Sequence, residues 1–354
     1  MKQARIIVDH SHCGRHVTGL ERITLELFSA EALAPLCVDI VRSTGVPDMI
    51  VKQTVAMPAA LAMDRRALLV CPNFPPSLTA SLFGGRCLPY IHDLFLMTRP
   101  GDLNGRAKLY MAPAFRAAVK KLPRFLVNSA TTRDELRRYC RADAEIQLYR
   151  PAVRNVFDLD ASARGAAPAL SRGLRLIALG TIEPRKNLRA AGAILQALRN
   201  SRFPDATLDL VGRPGWGDDA ERLATAPGVT IHGYQPLERV RDLIQGADAL
   251  ISTSHDEGLG LPLLEAQYAG LPVIAPDKAV FREVLADSGW LIDPADANGA
   301  AAHISSCLAA NDWRSRASAA ALTNIERWMG LARADHIQVL RLLARLAGAG
   351  ALSC

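Results

Sequence analysis

Short apolar runs recur along the chain, separated by segments with helical spacing. RIIVD (5–9), VDIVRS (38–43), ALLVCPN (67–73), LPYIHD (88–93), FLVNS (125–129) and EIQLYRP (145–151) predict strands in the first half. LRLIALG (174–180), TLDLVG (207–212), VTIHGY (229–234), ADALISTS (247–254) and PVIAPD (272–277) repeat the pattern in the second. Near-continuous apolar strands alternating with helices predict parallel sheets buried on both faces. Between the two series, NVFDLDASARGAAPALSRG (155–173) is small, polar and proline-containing, which is a linker composition. The pattern therefore gives an α/β chain of two doubly wound, Rossmann-like domains, 1–151 and 174–324, joined by a linker at 152–173. Ligands of such sheets bind outside the carboxyl ends of the strands, so a shared ligand is expected in a cleft where the domains face each other. The tail, IERWMGLARADHIQVLRLLARLAGAG (325–350, within a segment 325–354), has helical periodicity with apolar and basic residues mixed. It closes the second domain, crosses back to the first or lies on a membrane; packing is the preferred role.

Composition narrows the class. With 354 residues, 49% hydrophobic and 22% charged, the chain is an ordinary globular protein of two-domain size. No window has the run of uncharged apolar residues that a membrane-spanning helix needs. The start, MKQARIIVDHSHCGRH, turns polar too soon for a signal peptide, and seven scattered cysteines without a CxxC pair fit a reducing compartment. A cytoplasmic address is expected. The net charge of +7 is uneven: residues 1–150 hold 21 Lys+Arg against 13 Asp+Glu (+8), leaving 21 against 22 (−1) for the rest. No aromatic-rich basic motif or helix-turn-helix accompanies the excess, so nucleic acid is not expected as a partner. An anionic membrane surface is the better match, and GRAKLYMAPAFRAAVKKLPRF (105–125) reads as a helical stretch carrying Arg106, Lys108, Arg116, Lys120, Lys121 and Arg124.

Three segments of the second half combine chemistry with strand ends. In LGTIEPRKNL (179–188), Gly180 closes a strand, and Arg185 and Lys186 precede the helix NLRAAGAILQALR; two cations at a helix start form an anion site suited to a diphosphate. A solvated basic pair is the bland alternative. In HDEGLGLPLLEA (255–266), Gly258 and Gly260 let backbone approach a ligand, Pro262 suits a first helical turn, and Leu263 and Leu264 face the sheet. Glu265 is placed to accept from two adjacent hydroxyls, as on a ribose, and Glu257 from hydroxyls of another ring. Dipole complementation by Glu265 and turn capping by Glu257 are the structural alternatives. VGRPGWGDD (211–219) and IHGYQP (231–236) are strand-end loops able to shape a base pocket. The spacing of Gly212, Gly215 and Gly217 does not match a dinucleotide fingerprint, which excludes a nicotinamide site.

Taken together, GTIEPRKN, HGYQPLERVRDLIQGADALISTS, EGLGLPLLEAQYAGLPVIAPD and Asp293-Pro294 resemble, in order, the retaining GT-B glycosyltransferases of family four. In that family two glutamates stand seven residues apart, as Glu257 and Glu265 do. The resemblance implies a GT-B fold and a retaining, metal-independent hexosyltransferase without cofactor. It places Gly19, Gly180, Arg185, Lys186, Gly212, Glu257, Gly258, Leu259, Gly260, Leu261 and Glu265 at the nucleotide-sugar donor. The catalytic set is His92, Arg185, Lys186 and Glu257. The first half resembles the family more weakly, through TGLERITLEL (18–27), YIHDLF (90–95) and LVNSATTRDEL (126–136). There His92 is expected near the transferred sugar, in contact or in proton transfer, with Asp93, Asn128 and Ser129 lining the acceptor side. A strand-end histidine satisfied by Asp93 is the alternative. HSHCGRH (10–16) departs from the plainer glycine run of many relatives, and its histidines and Cys13 raise a metal only to set it aside.

The pattern is similar to bacterial mannosyl- and rhamnosyltransferases of surface polysaccharides. It implies GDP-mannose as donor, ahead of dTDP- and UDP-sugars, and a growing, lipid-linked glycan as acceptor. The enzyme is then expected peripherally on the inner face of the plasma membrane. A GT-B-shaped epimerase or phosphorylase and a catalytically silent membrane scaffold are the rivals of another class.

Overall fold

The computed structural model describes residues 5–14, 19–73, 75–99, 111–161, 170 and 173–348. It divides into two compact units, Met1–Ala152 with Gly330–Cys354, and Val153–Met329. The first unit holds β1 (Ile6–Asp9), β2 (Val38–Val41), β3 (Leu68–Cys71), β4 (Cys87–Ile91), β5 (Arg124–Val127) and β6 (Glu145–Leu148). They form one parallel sheet in the order β2-β1-β3-β4-β5-β6. The second unit holds β7 (Arg175–Leu179), β8 (Thr207–Val211), β9 (Val229–Gly233), β10 (Ala249–Ile251), β11 (Val273–Pro276) and β12 (Gly289–Ile292). These too run parallel, in the order β12-β11-β10-β7-β8-β9. Each sheet reverses its winding once, between β1 and β3 and between β7 and β10, and such points open a crevice beyond the carboxyl ends.

Burial follows the sequence pattern. The helix Leu188–Arg199 buries Leu188, Ala191, Ile194, Leu195 and Leu198, the three-and-four spacing of a single apolar stripe. That stripe joins Leu176, Ala178, Leu208 and Leu210 of the sheet and Ala300, Ala301 and Ile304 of the helix Ala297–Cys307 in one core. In the first unit Phe28 meets Tyr90 and Tyr149 edge-on, with ring centroids 5.3 and 5.2 Å apart. Both buried phenols are satisfied: Tyr90 donates to the Tyr149 carbonyl at 2.9 Å and Tyr149 to that of Leu27 at 2.7 Å.

The last helix, Trp313–Leu346, starts earlier than the sequence pattern suggested. In the second unit Asn324 on this helix donates to Gln267 Oε1 at 2.7 Å and to the Val284 carbonyl at 3.0 Å. In the first, Asp335 accepts from the guanidinium of Arg150 at 2.7 Å, and Arg345 reaches Glu145 at 2.6 Å.

Two expectations need correction. The second half has a sixth strand, β12, where the sequence showed only an apolar run before Asp293-Pro294. The helical stretch at 105–125 reduces, in its described part, to the helix Ala112–Lys121. Leu122 is extended and Arg124 opens β5, because Pro123 has no N–H for a helix and drives the residue before it out of the helical region. Arg106 and Lys108 lie outside the described residues, as do Arg15 and His16 of HSHCGRH and Thr18. Among the described residues no group of three His, Cys, Asp or Glu is placed to hold a metal. No described helix is long and apolar enough to cross a membrane.

Candidate active site

The loop leaving β7 and the loop leaving β10 come together at the winding reversal of the second sheet. After β7 the backbone turns at Gly180 (φ 122°), pairs Ile182 with Pro214, and makes one 3₁₀ turn, Pro184–Lys186. Asn187 then takes a left-handed conformation and the helix begins at Leu188. Arg185 and Lys186 therefore stand on the turn before the helix rather than in its first turn. Gly212 explains how close the strand ends approach: a Cβ there would lie 1.9 Å from the Gly180 carbonyl oxygen. No other residue type fits without moving backbone.

Arg185 and Lys186 converge on Glu257. Lys186 Nζ donates to Glu257 Oε1 at 2.5 Å and Arg185 Nη1 to Oε2 at 3.2 Å. Ser254 Oγ adds a third bond, to Oε1 at 2.8 Å. Arg185 also donates to Glu183 Oε1, from Nη2 at 2.7 Å and Nε at 3.1 Å, and to the Asp256 carbonyl at 3.0 Å. The loops are stitched further by Thr253 Oγ1, which donates to the Asn187 carbonyl at 2.8 Å, and by His255 N on the Arg185 carbonyl at 2.9 Å. Burial alone would raise the Glu257 carboxyl; the charges of Lys186 and Arg185, with hydrogen bonds from Lys186 and Ser254, outweigh it and hold the group below its ordinary value. Burial likewise disfavours charge on Arg185, yet Glu257 and Glu183 leave its pKa raised. Both shifts favour the charged forms, so Glu257 and Arg185 are ionised at neutral pH.

Beyond Glu257 the chain passes Gly258 and Leu259 to Gly260, which adopts φ 82° and ψ 45° as the helix Leu261–Ala266 starts. Pro262 sits in the first turn as expected, and Leu263 and Leu264 are buried. Leu259 and Leu261 bury their side chains too. Glu265 lies in the second turn and is 3% exposed. Lys186, Thr253, Ser254, Glu257, Gly260 and Pro262 line one depression here. At the ends of β8 and β9, Gly212 N donates to the Gly233 carbonyl at 2.9 Å, and the Arg213 guanidinium stacks 4.6 Å from the Tyr234 ring centre. Glu183, Ser254, Arg213 and Tyr234 were not picked out from the sequence. Glu183 sits two residues from Arg185, which was a local signal; the role of Ser254 depends on a fold-dependent contact.

The remaining candidates lie on the first unit. His92, just past β4, is buried, and its Nε2 lies 2.8 Å from the Pro72 carbonyl. A carbonyl only accepts, so Nε2 carries the proton and Nδ1 presents its lone pair, with no hydrogen-bond partner among the described residues. The partner is thus Pro72 and not Asp93, whose Oδ1 accepts from Phe95 N at 3.0 Å. Burial, with a smaller push from His12 and against the Pro72 bond, lowers the imidazole to about 4. It is neutral at pH 7. Asn128 Nδ2 donates to the His92 carbonyl at 2.8 Å, and Ser129 Oγ accepts from Thr132 N at 3.0 Å to cap the helix Ala130–Leu136. Both are buried, and these bonds fix the backbone around His92. Gly19 is the first residue of the helix Gly19–Phe28, and a Cβ there would meet nothing within 4 Å.

With this geometry in place, residues 168–323 match the family model described as "Glycosyl transferases group 1". The second unit belongs to the group 1 glycosyl transferases. Arg185, Lys186, Glu257 and Glu265 all fall inside the matched segment. Among curated proteins, the "O-antigen chain mannosyltransferase B" of Escherichia coli is 35% identical over 158 residues, which is 42% of this chain and 41% of that protein. The chain thus spans about two fifths of the length of that relative. Over nearly the whole chain, two solved structures share the fold. The sucrose-phosphate synthase of Thermosynechococcus elongatus aligns with a TM-score of 0.71 at 18% identity, covering 97% of this chain and 99% of that one. Anabaena Alr3699/HepE, in complex with UDP and glucose, aligns with a TM-score of 0.66 at 16% identity, covering 97% and 100%. The fold of this chain is GT-B, two six-stranded parallel α/β sheets.

Proposed function

We propose that this chain is a retaining glycosyltransferase that moves mannose from GDP-mannose onto a hydroxyl of a growing, lipid-linked surface polysaccharide. The observation that carries the transferase reading is the Arg185–Lys186–Glu257 cluster at the winding reversal of a group 1 unit. The mannose reading is supported by the E. coli O-antigen mannosyltransferase relative. The structure of HepE with UDP and glucose supports a nucleotide-sugar donor and keeps a UDP-sugar as the second reading. The acceptor glycan and a cytoplasmic, membrane-peripheral location belong to the same proposal, as does catalysis without a metal.

The difficult step is departure of the nucleoside diphosphate, which gains negative charge as the sugar gains oxocarbenium character. Preorganised donors aimed at that charge lower the barrier. Lys186 is the better placed of the two cations. Its ammonium has three N–H bonds and spends one on Glu257, so it can turn the others to phosphate oxygens while keeping its anchor. Arg185 is more committed, bridging Glu183, Glu257 and the Asp256 carbonyl, and serves to hold the two loops in register. Backbone at Gly258–Gly260 adds approach without a side chain in the way. Glu257 has about four lone-pair sites, three of them filled, which leaves Oε2 one acceptance for a sugar hydroxyl. Glu265 is assigned to the ribose and neutral His92 to the sugar, where Nδ1 can accept a hydroxyl proton.

The test is turnover of a panel of GDP-, UDP- and dTDP-sugars with a mannose-terminated acceptor, reading the product's anomeric configuration by NMR. Transfer with retention, fastest for GDP-mannose, is expected. Release of free sugar epimer, or no transfer with any donor, would give the case to the epimerase or scaffold readings.

A further inference from the structure

The first unit carries a cavity of about 550 Å³ at the amino-terminal edge of its sheet, the edge opposite His92 and Asn128. Arg65, Arg66, Arg86 and Arg124 line it, with Gly85 and the helix end at Leu346. Topology gathers these arginines. β3, β4 and β5 are parallel neighbours, and each is entered here from a cationic segment: Arg65-Arg66 before β3, Arg86 before β4, Arg124 opening β5.

Arg86 and Arg124 are held by fixed partners. Arg86 Nη1 donates to the carbonyls of Leu61 at 2.6 Å and Asp64 at 2.8 Å, and the group stacks 5.0 Å from the Phe83 ring centre. Arg124 donates to Glu145 Oε2 at 3.1 Å and to the Gly85 carbonyl at 3.3 Å. Glu145 is shared with Arg345, so one carboxylate serves two arginines. Gly85 makes room for this: a Cβ there would stand 2.9 Å from Arg124 Nη1. Guanidiniums locked in this way have little freedom left to lose when they meet a ligand. Gathered around an open depression, they create a positive potential that an anion would relieve.

Planar forks converging from several strands suit the tetrahedral oxygens of a phosphate. The cavity is larger than a bare ion needs and lies in the range of organic ligand sites. Met63, two residues before Arg65, is 87% exposed, and Leu82, next to the Phe83 on which Arg86 stacks, is 79% exposed. We propose that this edge cavity binds a phosphate ester on Arg65, Arg66, Arg86 and Arg124, separately from the diphosphate region of the second unit. Two sources supply that chemistry, a lipid headgroup whose tails would meet Met63 and Leu82, or a soluble glycerol or sugar phosphate.

The experiment uses the full chain, with glycerol 3-phosphate in calorimetry and vesicles of phosphatidylglycerol or phosphatidylcholine in co-sedimentation. The variants are R65S/R66S, and G85A, which displaces the Arg124 guanidinium at a backbone conformation alanine tolerates. Glycerol 3-phosphate should bind the wild type and lose at least roughly tenfold in R65S/R66S, as expected for two charge-assisted contacts. It should also weaken in G85A. GDP and UDP binding should be unchanged in both, so a failure of the nucleotide reading shows in that arm alone. A lipid source predicts that phosphatidylglycerol vesicles, but not phosphatidylcholine vesicles, sediment the wild type, less so for M63S/L82S. A soluble source predicts glycerol 3-phosphate binding with no vesicle preference. No binding of either probe, or equal binding by wild type and both cavity variants, overturns the proposal.

Discussion

Glu257→Gln isolates what the buried ion cluster contributes. The substitution keeps the side chain's shape, removes its charge and turns an amide NH₂ toward donors, so Lys186 loses its carboxylate while Arg185 keeps Glu183. Breaking a fully buried pair by removing one partner costs about 3–5 kcal/mol, and an exposed pair contributes about 0–1 kcal/mol. The Glu257 side chain is 11% exposed and those of Arg185 and Lys186 are 20% and 19% exposed, which puts the loss between these limits, at about 2 kcal/mol. For a unit of this size that is a fall in Tm of about 4–8 °C. The pH dependence has a definite sign. The folded-state carboxyl lies below its ordinary value, so its stabilisation is complete above the unfolded value of about 4.3 and is lost as pH falls through the lower folded value. Heat and urea unfolding of wild type and variant at pH 7 and at successively lower pH is the assay. The deficit should be present at pH 7 and shrink in acid. An unchanged Tm at pH 7, or a deficit equal at every pH, would refute the electrostatic account of the cluster.

Lys186→Ala should lower kcat by roughly 10²–10³, the effect of removing one preorganised donor, and should lower Tm as well, because it takes a cation away from buried Glu257; Arg185→Ala should lower kcat and, by more, Tm, because it also unties two loops. His92 has a folded-state value of about 4 against about 6.5 unfolded, so its contribution to stability is full above pH 6.5 and is lost as pH falls toward 4. Wild type should therefore lose about 2 kcal/mol between pH 7 and pH 5 that His92→Asn does not lose, by urea titration; equal losses would contradict the buried neutral imidazole. Glu265→Ala should weaken GDP binding roughly tenfold, the scale of one charge-assisted hydrogen bond, and should bind the 2′,3′-dideoxy nucleotide as the wild type does. Calorimetry on the four combinations checks the ribose assignment.

The sequence carried most of the architecture because parallel strands covered on both faces read as apolar runs. Every run named in the first half became a strand. GWLI was missed because it is short, opens with glycine and lies beside the more conspicuous Asp293-Pro294. The run at 105–125 looked helical by periodicity; in its described part it is helical over Ala112–Lys121, and Pro123 ends the helix before Arg124. At the site, types and spacing picked out Arg185, Lys186 and Glu257, which the structure brings together, but not their pairing. The contact between Lys186 and Glu257 joins residues 71 apart and exists only because β10 lies beside β7. For the same reason the tautomer of His92 was invisible, since it is set by the carbonyl of Pro72 on a neighbouring strand end.

Whether the loops after β7 and β10 hold a diphosphate is tested most directly by titrating GDP against guanosine, and UDP against uridine, into wild type and R185A/K186A. Two charge-assisted hydrogen bonds at about 1.5 kcal/mol each predict that the preferred diphosphate binds roughly 100-fold tighter than its nucleoside, and that the gap collapses in the variant. A gap of the same size in both proteins would place the phosphates elsewhere and contradict the account.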